Sequence, residues 1–246
     1  MGSTRLPGKV MMKIKEKPML WYSVVRTRKA KLIDMAIVVT STEKKDDVIY
    51  DYCTNNGIDC YRGSEQDVLD RYYQAARIFK ADIVVRITSD CPLIDPKIIE
   101  TTAKEFLAGG YDYARTSKSW PNGIGSVEIV KFDVLQKIWK IAKLPGEREH
   151  VTPYIYTHPD EFKIKTIDCD KDYEGIVLSV DTQPQFDAAK NIIENLGKKS
   201  DYFSMHEILA YLEKNKDILK AIESVERRGA EQYMRDLKMA QDRKNQ

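Results

Sequence analysis

Two aspartates, Asp90 and Asp181, each close a strongly apolar run, at residues 83–87 and 176–180. If those runs are neighbouring strands, the two carboxylates reach a common crevice. A magnesium ion typically takes one or two carboxylates and completes its octahedron with water and substrate phosphates, so the pair has the chemistry of a metal–phosphate site. The amino terminus supplies the complement. Gly2-Ser3-Thr4-Arg5-Leu6-Pro7-Gly8-Lys9 combines two glycines, two hydroxyls and two cations in a short loop. Glycine lets a backbone come close to a ligand, and consecutive N–H groups form anion-binding concavities. A Walker A loop is excluded, because five residues separate Gly2 from Gly8 and Val10 follows Lys9. Taken singly, each feature has a plainer reading. A basic start is commonly a loose tail, and a strand-end Asp commonly caps a helix or turn, as Asp181 could for a helix near Pro184. The combination points to a metal–nucleotide site.

These residues need a scaffold. Short β-branched runs alternate with helical spacing along most of the chain. Pro18 opens a helix carrying Met19, Leu20 and Val24, and 36–39 reads as a strand ending at Thr40-Ser41. Val48, Ile49, Tyr52 and Cys53 share a helix that stops at Gly57, and a third helix carries Val68, Leu69, Tyr72, Tyr73, Ala76 and Phe79. Further helices are expected over 98–107, 135–141, 151–156 and 186–196, with strands over 83–87, 111–114, 127–130, 162–167 and 176–180. Apolar strands taking turns with helices predict an α/β fold, a mostly parallel sheet flanked by helices. Ligands of such sheets sit beyond the carboxyl ends of the strands, where Thr40-Ser41, Thr88-Ser89-Asp90 and Asp181-Thr182 fall.

From Ser204 the character changes to amphipathic helices rich in Lys and Glu, carrying Ile208, Leu209 and Leu212, then Ile218, Leu219, Ile222 and Val225. After Gly229 a last stripe follows, Ala230, Tyr233, Met234 and Leu237. The expected organisation is a main domain at 1–203 and a C-terminal helical tail at 204–246. The stripe either packs on its own domain or forms a dimer contact.

Lys+Arg 40 against Asp+Glu 38 leaves a net charge of +2, which gives no support to nucleic-acid binding, since that wants a basic excess. Cys53, Cys60, Cys91 and Cys169 show neither CxxC nor zinc-ligand spacing, which predicts reduced thiols and a cytoplasmic protein. No apolar run approaches the ~18 residues of a membrane span, so no membrane partner is expected.

Five motifs, in order, carry a family resemblance. The Gly2–Lys9 loop resembles the signature loop of sugar-acid cytidylyltransferases. The nearest branch is the spore-coat polysaccharide biosynthesis protein F type, related to the deoxy-manno-octulosonate and acylneuraminate enzymes. Arg62-Gly63-Ser64 with Asp67, Asp70 and Arg71 is similar to the family's base-and-ribose segment, and Thr88-Ser89-Asp90-Cys91-Pro92-Leu93-Ile94 to its metal-binding strand end. Arg148-Glu149-His150-Val151-Thr152-Pro153-Tyr154 resembles a sugar-facing motif, and Val180-Asp181-Thr182 the second metal carboxylate. The likeness spans most of residues 1 to about 212. It implies a Rossmann-like nucleotide-diphospho-sugar transferase fold, transfer of CMP from CTP to a small acidic sugar acceptor, Mg²⁺ as cofactor, and a homodimer. By the same resemblance Arg5, Lys9 and Asp90 serve catalysis, and Asp90 and Asp181 hold the metal. Gly2, Ser3, Arg5, Lys9, Ser41, Arg62, Ser64, Asp67 and Arg71 face the nucleotide, and Arg148, His150 and Glu128 the acceptor.

Two departures from the family pattern follow. The family's loop normally continues from an apolar strand ending in Ala-Arg, and this chain begins just after it. A missing central strand would leave its neighbours' N–H and C=O groups unpaired, at about 1–3 kcal/mol per buried group. The native product is therefore expected to be longer, which the intact mass of protein from its source would test. The second departure is the imperfect spacing of Pro121-Asn122-Gly123-Ile124-Gly125-Ser126-Val127-Glu128. Two rival functions remain: a metal-dependent glycosyltransferase using Asp168-Cys169-Asp170, and a non-catalytic nucleotide-binding partner.

Overall fold

The computed structural model describes residues 1–198 and 202–223. A small antiparallel hairpin, β1 (Lys13–Ile14) and β2 (Lys17–Pro18), feeds helix α1 (Met19–Arg28). Strand β3 (Val38–Ser41), helix α2 (Asp47–Asn55) and strand β4 (Cys60–Gly63) follow, with β3 and β4 parallel. Helix α3 (Val68–Ile78) leads to β5 (Ile83–Arg86), and α4 (Pro96–Gly109) to β6 (Tyr113–Thr116). Next come β7 (Glu128–Lys131), α5 (Phe132–Ile141), α6 (Pro145–His150), α7 (Pro153–Thr157), β8 (Ile164–Ile167) and α8 (Gln183–Leu196). The C-terminal helices are α9 (Met205–Lys214) and α10 (Lys216–Glu223).

Local chemistry sets the ends. Asp67 starts α3 by accepting from the Asp70 N–H at 2.8 Å, and Asp95 starts α4 by accepting from Lys97 N–H at 2.9 Å, each satisfying a donor that the first helical turn leaves open. Ser204 and Glu207 form a capping box at α9. Gly110, with φ 62°, closes α4 in the left-handed region that glycine tolerates.

The larger sheet has the order β5-β7-β6-β8, and β3-β4 stands as a separate pair. The α/β class holds. Strand β7 runs antiparallel to both β5 and β6 while β6 and β8 are parallel, so this sheet is mixed; apolar runs carry no information on strand direction. Among the described residues β3 pairs only with β4, and β5 only with β7. A cleft of about 220 Å³, open to solvent, lies between them, lined by Val38 and Val39 on one side and Arg86 and Ile87 on the other.

Two expected elements differ. Residues 176–180 form no ladder: Val177 makes an isolated bridge to Asn122. Leu178 N–H donates to Asn122 O, and Val180 N–H to Asp90 O, both at 2.9 Å or less. Gly123, with φ 83°, sits so near that a Cβ would come within 2.3 Å of Ser179 N. The expected helix at 151–156 starts two residues later, as α7 at Pro153, and a further short helix, α6, precedes it and ends at Val151 with φ 74°.

The largest core cluster joins Leu93, Ile94, Ile99, Phe106, Val180 and Phe186 to Ile208 and Leu212 of α9, so the described part of the C-terminal tail shares the main core. Buried Arg26 fastens it, donating to Ile94 O and Phe203 O, each at 2.8 Å, while Asp95 accepts from Met205 N–H at 2.7 Å. Burial lowers the Arg26 pKa to about 10. The stripe of Ala230, Tyr233, Met234 and Leu237, and Val225 before it, lie outside the described residues. Among the described residues no helix is long and apolar enough to cross a membrane.

Candidate active site

The amino-terminal loop folds back on itself. Gly8 takes φ 72°, Gly8 N–H donates to Met1 O at 3.4 Å, and Ser3 Oγ accepts from Leu6 N–H at 3.3 Å. Lys9 then enters a single 3₁₀ turn with its side chain directed at the sheet. Its ammonium donates to Asp181 Oδ1 at 2.8 Å, to Asp90 Oδ2 at 3.2 Å and to Val180 O at 2.7 Å. Arg5 Nη2 lies 3.0 Å from Asp181 Oδ2. One cation thus bridges two carboxylates, and a second cation flanks them.

Asp90 ends the segment that leaves β5. Asp181 precedes α8 without capping it: Thr182 is the N-cap residue, and Gln185 Oε1 accepts from the Asp181 and Thr182 N–H groups at 2.9 and 3.1 Å. That leaves the Asp181 carboxylate for the cations. Burial opposes charge on both sides of the Lys9–Asp90 pair, and the pairing outweighs it. The Lys9 pKa is raised by Asp90 and Asp181, and Lys9, with hydrogen bonds from Thr88 and Cys91, holds the Asp90 carboxyl below its usual range. Among the described residues no group of three or more His, Cys, Asp or Glu could hold a metal. Two carboxylates alone suit a cation that takes its other ligands from water and phosphate oxygens, and the two side-chain cations suit the phosphates themselves.

Other expected site residues lie in contacts of their own. Ser41 donates to Asp46 Oδ2 at 2.5 Å, and its carbonyl accepts from Arg62 Nε at 2.9 Å. Arg62 also donates to Glu43 O at 3.1 Å and Asp47 Oδ1 at 2.7 Å. Ser64 Oγ accepts from Asp67 N–H at 3.2 Å. Gly2 lies beside Glu65 and Lys45. Arg71 runs past Gly63 to the cleft between β3 and β5, where its Nε is buried without a partner and burial lowers its pKa. Arg148 is spent on structure: Nε donates to Asp67 Oδ2 at 3.0 Å and Nη1 to Trp139 O at 2.8 Å, tying α6 to α3 and α5. Among the described residues, none of these side chains is hydrogen-bonded or ion-paired to Lys9, Asp90 or Asp181. Asp168 and Asp170 follow β8 directly and are exposed, also away from those three.

Glu128 is likewise committed. Its Oε2 accepts from Arg86 Nη1 at 2.5 Å, and Oε1 from Tyr113 Oη at 2.5 Å and Thr152 Oγ1 at 2.8 Å. The carboxyl is held below its usual range against the effect of burial, chiefly by Arg86. Burial lowers the His150 pKa, the Arg86 charge lowers it further, and Glu149 and Glu128 raise it. Arg86 and Arg115 were not foreseen. The register places both opposite Glu128, Arg86 from β5 and Arg115 from β6, making one row across three strands. The available signal was a lone cation inside each apolar strand, where charge is rare unless paired.

A family model described as cytidylyltransferase matches residues 1–245. The uncharacterised protein MJ1063 of Methanocaldococcus jannaschii is 38% identical over 222 residues, covering 88% of each chain. The spore coat polysaccharide biosynthesis protein SpsF of Bacillus subtilis is 30% identical over 224 residues, covering 88% of this chain and 92% of its own. A cytidylyltransferase structure from Leptospira borgpetersenii superposes with a TM-score of 0.84 at 31% identity, covering 93% of this chain and 95% of its own.

Proposed function

This chain belongs to the cytidylyltransferase family, and from that premise we propose that it transfers CMP from CTP to a small acidic sugar acceptor, releasing pyrophosphate, for polysaccharide or glycan synthesis. The observation that supports this most directly is Lys9 bridging Asp90 and Asp181, with Arg5 on Asp181.

The reaction is an in-line displacement at the α-phosphorus: an acceptor oxygen forms the new P–O bond as the bond to the β-phosphate oxygen breaks. Such a step depends on positioning and charge neutralisation more than on covalent help. Arg5, Lys9 and the loop N–H groups would take the charge of the departing pyrophosphate. Asp90 and Asp181 would hold Mg²⁺, which when bound supplies Lewis-acid stabilisation at the α-phosphate. Their donor set fits it, being two half-buried carboxylates with no third protein ligand. Lys9, now between them, would move onto a phosphate oxygen when the nucleotide arrives, exchanging one anionic partner for another. A homodimer belongs to the same reading, and sedimentation velocity reads it.

The test crosses four nucleoside triphosphates with a panel of octulosonic and nonulosonic acids and measures pyrophosphate. Release with CTP and one acid is expected. No release from CTP with any acid, in protein that melts cooperatively, overturns the proposal.

A further inference from the structure

We propose that Arg115, laid on the ring of Tyr156, receives the carboxylate of the acceptor and makes the site prefer an acid over a neutral sugar. The inference rests on the transferase reading above and names the group that recognises the acid. It begins with the row Arg86–Glu128–Arg115, directly opposed across β5, β7 and β6. The row has two cations and one carboxylate. Glu128 gives one oxygen to Arg86 and the other to Tyr113 and Thr152, and among the described residues neither oxygen accepts from Arg115.

Arg115 is left over. Among the described residues no carboxylate or carbonyl accepts from its guanidinium, and its Nε is buried without a partner. Its guanidinium carbon stands 4.9 Å from the centre of the Tyr156 ring. A cation–π contact takes none of the guanidinium N–H donors as a hydrogen bond, so they are left for a planar two-oxygen ligand, which a carboxylate meets bidentately. A half-buried cation with unmet donors is costly until an anion arrives.

No neighbour replaces it. Arg148 is taken by Asp67. His150, its pKa lowered by burial, is uncharged at neutral pH and can offer a hydrogen bond but no charge. Burial pushes Tyr156 up to about 12, so it stays a neutral phenol under the cation. Tyr72, in the cleft wall, lies within electrostatic reach of Arg86 and Glu128 of the row and of Asp90.

The test has two arms on the full chain. In the first, phenylglyoxal labels arginines with pyruvate, the smallest 2-oxo carboxylate, or its uncharged methyl ester present, and peptide mass spectrometry follows Arg115. Pyruvate is expected to slow Arg115 labelling roughly fivefold or more, and the ester to leave it unchanged. In the second, Arg115→Gln is expected to raise the acceptor KM about twentyfold with kcat and the CTP KM little changed, and Arg115→Lys to recover part of it. Equal labelling with pyruvate and ester overturns the proposal, and so does an unaltered acceptor KM in a folded Arg115→Gln. If the wild type turns over no acid at all, the transferase reading falls, and the labelling arm alone still decides whether Arg115 holds a carboxylate.

Discussion

Lys9 and Asp181, 172 residues apart in the chain, meet at 2.8 Å, and the same ammonium reaches Asp90 at 3.2 Å. The amino-terminal loop is therefore fixed to the sheet through the very carboxylates that would hold a metal. Replacing either acid removes a candidate metal ligand and little packing. Asp90→Ala and Asp181→Ala are each expected to lower kcat for pyrophosphate release by about 10³-fold or more, with melting temperatures within a few degrees of wild type. A continuous pyrophosphate assay with thermal melting checks both, and near-normal turnover in either would remove that residue from the site.

Removing the cation instead leaves two carboxylates facing each other. In the wild type Asp90 is depressed, so its pairing stabilises the fold above the unfolded carboxyl pKa and is lost as pH falls through the folded one. In Lys9→Met the sign reverses: like charge and burial raise the Asp90 pKa, and the ionised pair is a liability at neutral pH. The variant is expected to melt roughly 4–8 °C lower at neutral pH, to recover on mild acidification, and to gain more than wild type from added Mg²⁺. Differential scanning fluorimetry across pH with and without Mg²⁺ reads all three.

Glu128 distinguishes a structural carboxylate from a substrate contact. With Arg86, Tyr113 and Thr152 on its two oxygens, Glu128→Ala strands the Arg86 cation. The expected cost is about 3 kcal/mol, or roughly 6–12 °C in melting temperature for a chain of this size. A double variant, Arg86→Met with Glu128→Leu, is expected to recover much of it. A Glu128→Ala protein that melts like wild type but binds acceptor poorly would restore the substrate role.

Much of this was legible in the sequence, for identifiable reasons. The helices α1 to α5 and α8 follow 3.6-residue apolar spacing with Pro, Asp or Gly at their ends, and such signals are local. The pairing of Asp90 with Asp181 was legible because each closes an apolar run. The role of Arg148 was not, because its partner Asp67 is 81 residues away and a motif does not say which acid an arginine will find. Arg115 was hidden for the same reason: its place opposite Glu128 comes from the register of β6 against β7, and that its Nε meets no hydrogen-bond acceptor among the described residues shows only in the fold. Residues 176–180 are apolar enough for a strand, yet the close approach of the Gly123 backbone takes the place a ladder partner would need.

Asp46 gathers a buried cluster at the end of β3. It accepts from Ser41 Oγ at 2.5 Å and Thr40 Oγ1 at 3.1 Å, and pairs with the Met1 ammonium. Burial works against its charge; these partners prevail and bring its pKa down to about 2. A depressed carboxyl stabilises above its unfolded pKa, near 3.9, and the contribution fades as pH falls towards 2. Wild type is expected to lose on the order of 2 kcal/mol through that window from this group, and Asp46→Asn to show a flatter dependence. Urea unfolding at stepped pH measures the difference; parallel curves would show that Asp46 carries no linkage.

The cleft between β3 and β5 makes a last prediction. Among the described residues each of these strands has a partner on one side only, and the Nε atoms of Arg71 and Arg86, both in the cleft wall, are buried without acceptors. Met1 is anchored on Asp46, beside Ser41 at the carboxyl end of β3. A segment joined ahead of Met1 would therefore enter the cleft running parallel to β3, with its last residue next to Asp46. A roughly five-residue Val/Ile extension is long enough for a strand, and its carbonyls and N–H groups would meet the two open edges. With each newly met buried group worth about 1 kcal/mol, the extended chain is expected to melt roughly 5–10 °C higher than the present one. A Gly/Ser extension of equal length, which lacks apolar side chains and favours disorder, converts the same Met1 ammonium to an amide without filling the cleft and is expected to melt lower than the Val/Ile one. Equal melting of the two extended proteins would show that the cleft does not accept a strand.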